Sequence, residues 1–189
     1  MTNSYFSGGF KNKSIDAANS FRTLMDLLAH PGKIVSLDLC TPPKPLSVSA
    51  GTILLTLCDS ETPIYLTQNY AVNNVKDWIT FHTGAGFVDQ SEACFAFGSW
   101  NELLPLTNFP IGTPKYPDRS TTVIAEIETL KNSKFLLSGP GIKEKTLLSV
   151  PDQKILSENQ KLFPLGLDFY FTRGSSLSAV SRSTKIEVK

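Results

Sequence analysis

The side chains most often used for catalysis or metal binding are scarce in this chain, which has two histidines and three cysteines among 189 residues. His30 and His82 each come at the end of a predicted helix, where a histidine more often satisfies backbone carbonyls than binds a metal. Cys40, Cys58 and Cys94 are odd in number and widely separated, a pattern that predicts neither a disulfide framework nor a zinc site. We therefore predict no metal and no cofactor, and keep His82 as a candidate site residue.

Two glycine-rich segments could present backbone N–H groups to a phosphate or another anion. They are His82-Thr83-Gly84-Ala85-Gly86 and Ser138-Gly139-Pro140-Gly141-Ile142. Neither segment has the spacing of a P-loop or a dinucleotide-binding turn, which places a helix directly after the last glycine. Ordinary turns are favoured, with anion binding by Gly139 and Gly141 as the alternative.

Three charged residues could contact a ligand or a partner protein. Arg22 follows Phe21, which we expect to be buried, and an arginine at the margin of an apolar helix face often anchors an interface. Arg182 stands between two serines before the last predicted strand and could pair with an anion or a carboxylate. Asp118 follows Tyr116-Pro117, where a turn or cap is the alternative to ligand binding. No Ser lies in a G-x-S-x-G elbow, so we nominate no catalytic residue.

The helices that must position these residues are indicated by apolar spacing. Apolar residues at three- and four-residue steps predict an amphipathic helix from its cap Ser14 to Ala29. This set comprises Ala17, Phe21, Leu24, Met25 and Leu28. Further helices are predicted from a Ser49 cap to about Cys58, over Asn74–His82 before Gly84, and from Pro151, as first helical residue, to about Leu162. A short helical or looped stretch is expected near residues 100–106.

Alternating apolar residues and turn signals predict the strands. Their ranges are 35–39, 64–66, 95–97, 123–127, 135–137, 167–172, 177–180 and 185–188. The polar turn Lys131–Lys134 predicts that 123–127 and 135–137 pair as a hairpin. Three prolines and Gly112 predict an irregular loop over 108–118. Helices alternating with strands, plus hairpins, indicate an α/β fold with a mixed sheet flanked by helices.

Composition excludes several classes of function. The chain has 18 basic and 17 acidic residues, a net charge of +1, without a basic stripe for nucleic acid. Its most apolar segment, Ile53–Cys58, falls far short of the roughly 20 residues that a membrane span needs. Residues 1–10 lack the pattern of a secretory signal. We expect a cytoplasmic protein with one domain over 1–189, of which 1–13 is flexible or peripheral.

Eight segments follow one another in a characteristic order: Phe21–Met25 through Pro31-Gly32, Leu54–Leu57 with Asp59, Glu61, Thr62 and Pro63, Phe81–Ala85, Gly112-Thr113, Tyr116–Asp118 with Ser120–Thr122, Gly139–Ile142, Phe163–Asp168 and Arg182–Thr184. In this order they resemble the PhnH subunits of the bacterial carbon–phosphorus lyase complex. The resemblance covers about residues 14 to 188. The last segment departs from the family pattern, since Ser181 and Ser183 replace the usual proline and threonine.

The resemblance implies a homodimeric fold similar to the large domain of pyridoxal-phosphate-dependent transferases, without the cofactor lysine. It also implies a role with the G, I and L subunits in transferring the ribose triphosphate moiety of ATP to an alkylphosphonate, with displacement of adenine. Subunits of the G, I and J types would be the protein partners. The chain would be a required and non-catalytic subunit of this transferase complex.

Two alternatives to the complex-subunit hypothesis remain at this point. The chain could be a ligand-sensing or structural binding module in which the Asp118 loop or Gly139–Gly141 holds an anion. It could also be a free-standing small-molecule transferase, for which fold similarity is the motive.

Overall fold

The computed structural model describes residues 6–189, and within them the chain forms five α-helices and nine β-strands. The helices are α1 (Lys13–Ala29), α2 (Val48–Leu57), α3 (Asn73–Thr83), α4 (Trp100–Leu103) and α5 (Gln153–Gln160). The strands are β1 (Ile34–Ser36), β2 (Ile64–Leu66), β3 (Phe95–Ser99), β4 (Thr122–Glu126), β5 (Phe135–Ser138), β6 (Thr146–Leu148), β7 (Asp168–Arg173), β8 (Ser176–Val180) and β9 (Lys185–Val188).

A six-stranded mixed sheet has the order β1-β8-β7-β4-β3-β2. The four strands β2, β3, β4 and β7 run parallel, and β8 pairs antiparallel with both β7 and β1. In register, Phe97 lies beside Ile124, which lies beside Tyr170. The parallel strands therefore end at one shared edge of the sheet, and the predicted mixed α/β fold is confirmed.

The second sheet has the order β6-β5-β9 and is antiparallel throughout. The predicted hairpin between 123–127 and 135–137 is wrong, because β4 lies in the large sheet and β5 in the small one. Val123, Ile124 and Ala125 are all fully buried, so β4 is covered on both faces as a central parallel strand must be. The polar turn 131–134 connects two sheets instead of two paired strands.

Two apolar clusters make the large sheet the middle of three layers. On one face Ile124 and Tyr170 pack with Leu24, Ile53 and other residues of the helices α1, α2 and α3. On the opposite face Val123, Ala125, Phe169 and Phe171 pack with α5 and the small sheet. The alternation of these neighbours follows the two-residue period of a strand.

Helix α1 differs in detail from its prediction. It begins at Lys13 after Asn12, whose backbone N–H donates to the Asp16 carboxylate at 2.8 Å, so Ser14 is not the cap. The buried residues are Ser20, Leu24 and Leu27. Phe21 is 48% exposed, which contradicts its predicted burial. The apolar residues of α1 span a wider arc of the helix surface than the part that packs against α2 and the sheet. Periodicity alone does not indicate which part of this arc is buried.

Two other helix starts also differ from the predictions. Ser47 caps α2 by accepting the Ala50 N–H at 3.2 Å, whereas the predicted cap Ser49 is buried and donates to the carbonyls of Gly174 and Ser176. Asp152 caps α5, so Pro151 lies before the helix, and α5 ends at Gln160. Helix α3 ends at Gly84, with φ of +76°, as predicted.

Residues 6–12 lie against the helical layer. The Trp78 Nε1–H donates to the Ser7 carbonyl at 2.9 Å, and the Thr41 N–H donates to the Gly8 carbonyl at 2.7 Å. The expectation of a flexible or peripheral segment over 1–13 falls partly on residues 1–5, which lie outside the described part. Within residues 6–189 none of the helices combines the length and apolar content that crossing a bilayer requires.

Candidate functional site

Polar side chains collect where the parallel strands of the large sheet end. Thr67 follows β2, Ser99 ends β3, Glu126 ends β4 and Thr172 lies near the end of β7. Ligands of open α/β sheets bind outside the carboxyl ends of the strands, because loops there surround a rigid edge. We therefore treat this edge as the candidate functional site.

Glu102 is held in place by three donors at this edge. The Ser99 hydroxyl donates to Oε2 at 2.7 Å, the Thr67 hydroxyl donates to Oε2 at 3.1 Å, and the Asn69 N–H donates to Oε1 at 3.4 Å. Desolvation acts to raise the pKa of Glu102, but these hydrogen bonds outweigh it and leave the pKa below its ordinary value. Glu102 is accordingly an ionised, oriented carboxylate.

Gly98 allows this arrangement. A Cβ atom at Gly98 would lie 2.2 Å from the Thr67 Oγ1, so a larger residue would displace the Thr67 hydroxyl from Glu102. Glycine is required here for the close approach of two neighbouring strand ends.

Glu126 has the opposite electrostatic environment. Its Oε1 is buried and has no hydrogen-bond partner among residues 6–189. Desolvation raises the pKa of Glu126, and the hydroxyls of Ser47 and Thr172 and the charge of Lys44 offset only part of this rise. Two carboxyl groups at one edge thus have pKa values shifted apart, a condition under which one can hold a proton while the other stays ionised.

Tyr70 completes the group. Its ring packs edge-on against Phe97 with centroids 4.8 Å apart. Burial, with smaller contributions from the charges of Glu126 and Glu102, raises the pKa of the Tyr70 phenol to about 12. The phenol therefore remains a hydrogen-bond donor at neutral pH.

A cavity of about 670 Å³ opens beside Glu126. Its walls include Ser99 and the start of α4, Glu126 to Thr129 after β4, the turn carrying Lys131 and Lys134, and residues 149–151 after β6. The walls offer the Glu128 carboxylate, hydroxyls and ammonium groups, which suits a polar ligand that carries both hydroxyl and anionic groups.

The candidate residue Arg182 is engaged within the fold. Its guanidinium binds both carboxylate oxygens of Asp168 and also donates to the Pro117 carbonyl at 2.7 Å and the Ser120 hydroxyl at 2.6 Å. Only 15% of the Arg182 side chain is exposed. The arginine therefore joins the start of β7 to the loop 112–120.

The other predicted site residues fall into separate places. Asp118 is exposed in the loop that Arg182 holds, and Gly139 lies at the adjoining turn, where an added Cβ would be 3.2 Å from the Ser183 carbonyl oxygen. Gly141 packs against the end of α1, and an added Cβ would be 1.6 Å from the Ala29 carbonyl oxygen. The loop 112–120, Gly139 and Arg182 thus share one neighbourhood, away from the carboxyl-edge residues.

Arg22 and His82 lie on the helical layer. Arg22 is exposed on α1, with one 3.4 Å hydrogen bond to Asn19. His82 sits in the last turn of α3 beneath Gly9, where an added Cβ would be 2.5 Å from the imidazole. Burial lowers the pKa of His82, aided by the charge of Lys13. Its role as a ligand contact stays a prediction, as do those of Arg22, Asp118, Gly139, Gly141 and Arg182.

The thiols are poor nucleophiles. Burial raises the pKa of Cys40 to about 11 and also raises the pKa values of Cys58 and Cys94. A reactive cysteine needs a lowered pKa and a cationic neighbour. Among the described residues no group of three or more His, Cys, Asp or Glu side chains is placed to hold a metal ion.

The sequence analysis missed Glu102 and Glu126, although both carry a signal. Ser99 and Glu102 have the S-x-x-E spacing of a capping box at the start of α4. Glu126 is the first acidic residue after the apolar run of β4. An acidic residue at the end of a buried strand indicates an edge site only once that strand is known to be parallel. The predicted hairpin made β4 antiparallel to β5, so Glu126 was not recognised as an edge residue.

Known proteins match this chain along almost its whole length. Residues 8–187 match the family of bacterial phosphonate metabolism proteins (PhnH). The chain is 38% identical to the alpha-D-ribose 1-methylphosphonate 5-triphosphate synthase subunit PhnH of Rhizobium meliloti, over 96% of each chain. It is 28% identical to the putative C-P lyase subunit protein HtxG of Stutzerimonas stutzeri, over 90% of this chain and 85% of that protein. The chain belongs to the PhnH family.

Proposed function

We propose that this chain is a subunit of a carbon–phosphorus lyase complex that acts in the breakdown of organic phosphonates. The observation that carries the proposal is the 38% identity, over 96% of both chains, to a subunit of a ribose 1-methylphosphonate 5-triphosphate synthase. Similarity of this extent leaves little of either chain unmatched. A shared subunit role is therefore better supported than a shared fold alone.

The complex would transfer the ribose triphosphate moiety of ATP to an alkylphosphonate. A phosphonate oxygen forms the new bond to C1 of the ribose, the glycosidic C–N bond breaks, and adenine leaves with a proton. Subunits of the G, I and L types would act with this chain in the transfer, and those of the G, I and J types would be its physical partners. We assign the chain a non-catalytic part in this reaction.

The environment of the described side chains supports a non-catalytic part. Its thiols have raised pKa values, and its best ordered carboxylate, Glu102, is occupied by Ser99, Thr67 and Asn69. The sequence contains no local nucleophile signature such as a G-x-S-x-G elbow. The chemistry would then belong to another subunit.

Four further properties follow from the family resemblance and are part of the proposal. The chain would be cytoplasmic, would form one domain over residues 1–189, and would associate as a homodimer. Its fold would be similar to the large domain of pyridoxal-phosphate-dependent transferases. The mixed sheet with parallel central strands and helices packed against it supports the last of these.

The proposal is tested in the native host. A tagged full-length chain should co-purify with the other subunits of the complex, and deletion of its gene should abolish growth on methylphosphonate while leaving growth on inorganic phosphate intact. Restoring the wild-type gene should restore growth. A chain that purifies without any phosphonate enzyme, together with a deletion strain that still uses methylphosphonate, would overturn the assignment.

A biochemical experiment tests the division of labour. The purified complex should release adenine from ATP in the presence of methylphosphonate, and the isolated chain should not. Adenine release by the isolated chain would refute the non-catalytic role while leaving membership of the complex intact.

A further inference from the structure

The cavity beside Glu126 has the size and position of a binding site. Its volume of about 670 Å³ lies within the usual range for small-molecule sites. It adjoins the carboxyl ends of the parallel strands β3 and β4, where loops can vary without disturbing the sheet.

The turn that closes the cavity is braced from two sides. The Ser149 hydroxyl accepts the Lys131 N–H at 2.9 Å and donates to the Thr129 carbonyl at 3.0 Å. The Asn132 amide donates to the Gly32 carbonyl at 3.0 Å and to the Leu147 carbonyl at 2.9 Å. A surface turn fixed by four hydrogen bonds loses little backbone freedom on binding.

The braced turn carries two lysines. Lys131 and Lys134 line the cavity, both are exposed, and neither forms an ion pair with the described residues. Lys134 also has φ of +76°, the only left-handed value outside glycine in residues 6–189. Left-handed backbone outside glycine is concentrated at functional sites. The Lys134 ammonium lies over the Phe135 ring, 4.7 Å from its centroid.

Acceptors stand along the walls of the same cavity. The exposed Glu128 contributes a carboxylate, and Ser99 contributes a hydroxyl. Carboxylates at the end of a parallel strand bind the hydroxyls of a ribose, because each carboxylate can accept two hydrogen bonds. Ammonium groups are strong partners for phosphate.

We propose that this cavity binds a phosphorylated ribose, with Lys131 and Lys134 on the phosphate groups and Glu128 on the sugar hydroxyls. The choice of ribose as the sugar rests on the function proposed above. A small inorganic anion would leave most of the volume empty and would face the Glu128 carboxylate. A metal cation would face two lysines. A ligand with hydroxyls at one end and phosphates at the other fits both sets of groups.

The test is calorimetric titration of the full-length chain, alone and in the purified complex, with ATP, ribose 5-phosphate, inorganic tripolyphosphate and adenosine. ATP and ribose 5-phosphate should bind more tightly than tripolyphosphate or adenosine. The double variant Lys131→Met, Lys134→Met should weaken ATP binding by at least about tenfold, since hydrogen bonds to charged groups are strong. The matched control Lys154→Met, an exposed lysine of α5 outside the cavity, should leave binding unchanged.

Glu128→Gln separates the two halves of the site. It should weaken ribose 5-phosphate binding and leave tripolyphosphate binding unchanged or improved, because it removes a negative charge. Glu92→Gln, another exposed acidic residue, is its control. Circular dichroism of each variant shows whether it is folded before its affinity is compared.

Two results would overturn the proposal. One is the absence of binding by both the chain and the complex at ligand concentrations up to about 1 mM, the upper end of common substrate affinities. The other is wild-type affinity in the double lysine variant. Either result leaves the complex-subunit assignment standing if co-purification and growth support it. Conversely, binding by a chain that joins no complex would retain the site and reject the assignment.

Discussion

Arg182 holds three parts of the structure together, and its replacement should cost more stability than that of any exposed arginine. The guanidinium contacts Asp168 at the start of β7 and donates to Pro117 and Ser120 of the loop 112–120. The backbone N–H of Arg182 also donates to the Asp168 carboxylate, at 2.8 Å. We consider Arg182→Met, which keeps an unbranched chain about as long as the aliphatic part of arginine and removes the charge and the donors.

The expected loss follows from burial and from the partner left behind. Breaking a buried ion pair costs about 3 to 5 kcal/mol, because the remaining charge is desolvated without compensation. The Arg182 and Asp168 side chains are 15% and 21% exposed, so solvent screens part of that cost. We expect the free energy of unfolding to fall by about 2 to 4 kcal/mol. Arg182→Lys should recover only part, since an ammonium group cannot reach Asp168, Pro117 and Ser120 together.

Urea unfolding followed by circular dichroism measures the loss, and Arg22→Met is the control. Arg22 is exposed with one long hydrogen bond, so its variant should stay within about 0.5 kcal/mol of the wild type. Hydrogen exchange should show faster exchange over residues 112–120 in Arg182→Met. A change below about 0.5 kcal/mol for Arg182→Met, or full recovery by Arg182→Lys, would refute the structural role.

Three other predictions concern backbone and titration. Gly141→Ala should be destabilising by at least about 2 kcal/mol more than Gly174→Ala in urea unfolding, because both need positive φ but only Gly141 abuts a backbone carbonyl; equal losses would contradict this. Burial lowers the pKa of His82, so its contribution to the free energy of unfolding should be full above pH 6.5 and decline as pH falls from 6.5 toward the folded-state pKa. His82→Gln should reduce the dependence of stability on pH in this range. Burial raises the pKa of Glu126, so its contribution to the free energy of unfolding is full below pH 4.5 and is lost as pH rises through the folded-state pKa. Relative to the wild type, Glu126→Gln should therefore be more stable at pH 8 than at pH 4. A stability difference between variant and wild type that is the same at both pH values would disprove the shift.

The local elements were largely predictable from sequence because they depend on near neighbours. The predicted strand 64–66 agrees with β2, and the predicted helix 74–82 agrees with α3 within a residue at each end. Helix starts were less predictable, since serines at 47 and 49 are equally good caps by type. Ser49 instead bonds to Gly174 and Ser176, more than a hundred residues away, and no local rule contains that choice.

The candidate site was not predictable in the same way. Glu102 and Glu126 come together because β3 and β4 lie side by side and parallel, and the sequence analysis paired 123–127 with 135–137 instead. Strand pairing depends on which apolar faces are covered, which is a property of the whole fold. Conversely, Arg182 stood out by type, but only the structure shows that Asp168 and the loop 112–120 occupy its donors.

The family, the mixed α/β class and most helices and strands are evident from the amino-acid sequence, because they follow from ordered motifs and from side-chain periods of about two and 3.6 residues. The assignment of strands to two sheets, the exposure of Phe21, the burial of Ser49 and the meeting of Glu102, Glu126 and Tyr70 at one edge became evident only from the folded chain. The reason is that these features depend on contacts between residues far apart in the chain, whose geometry is set when the three layers pack.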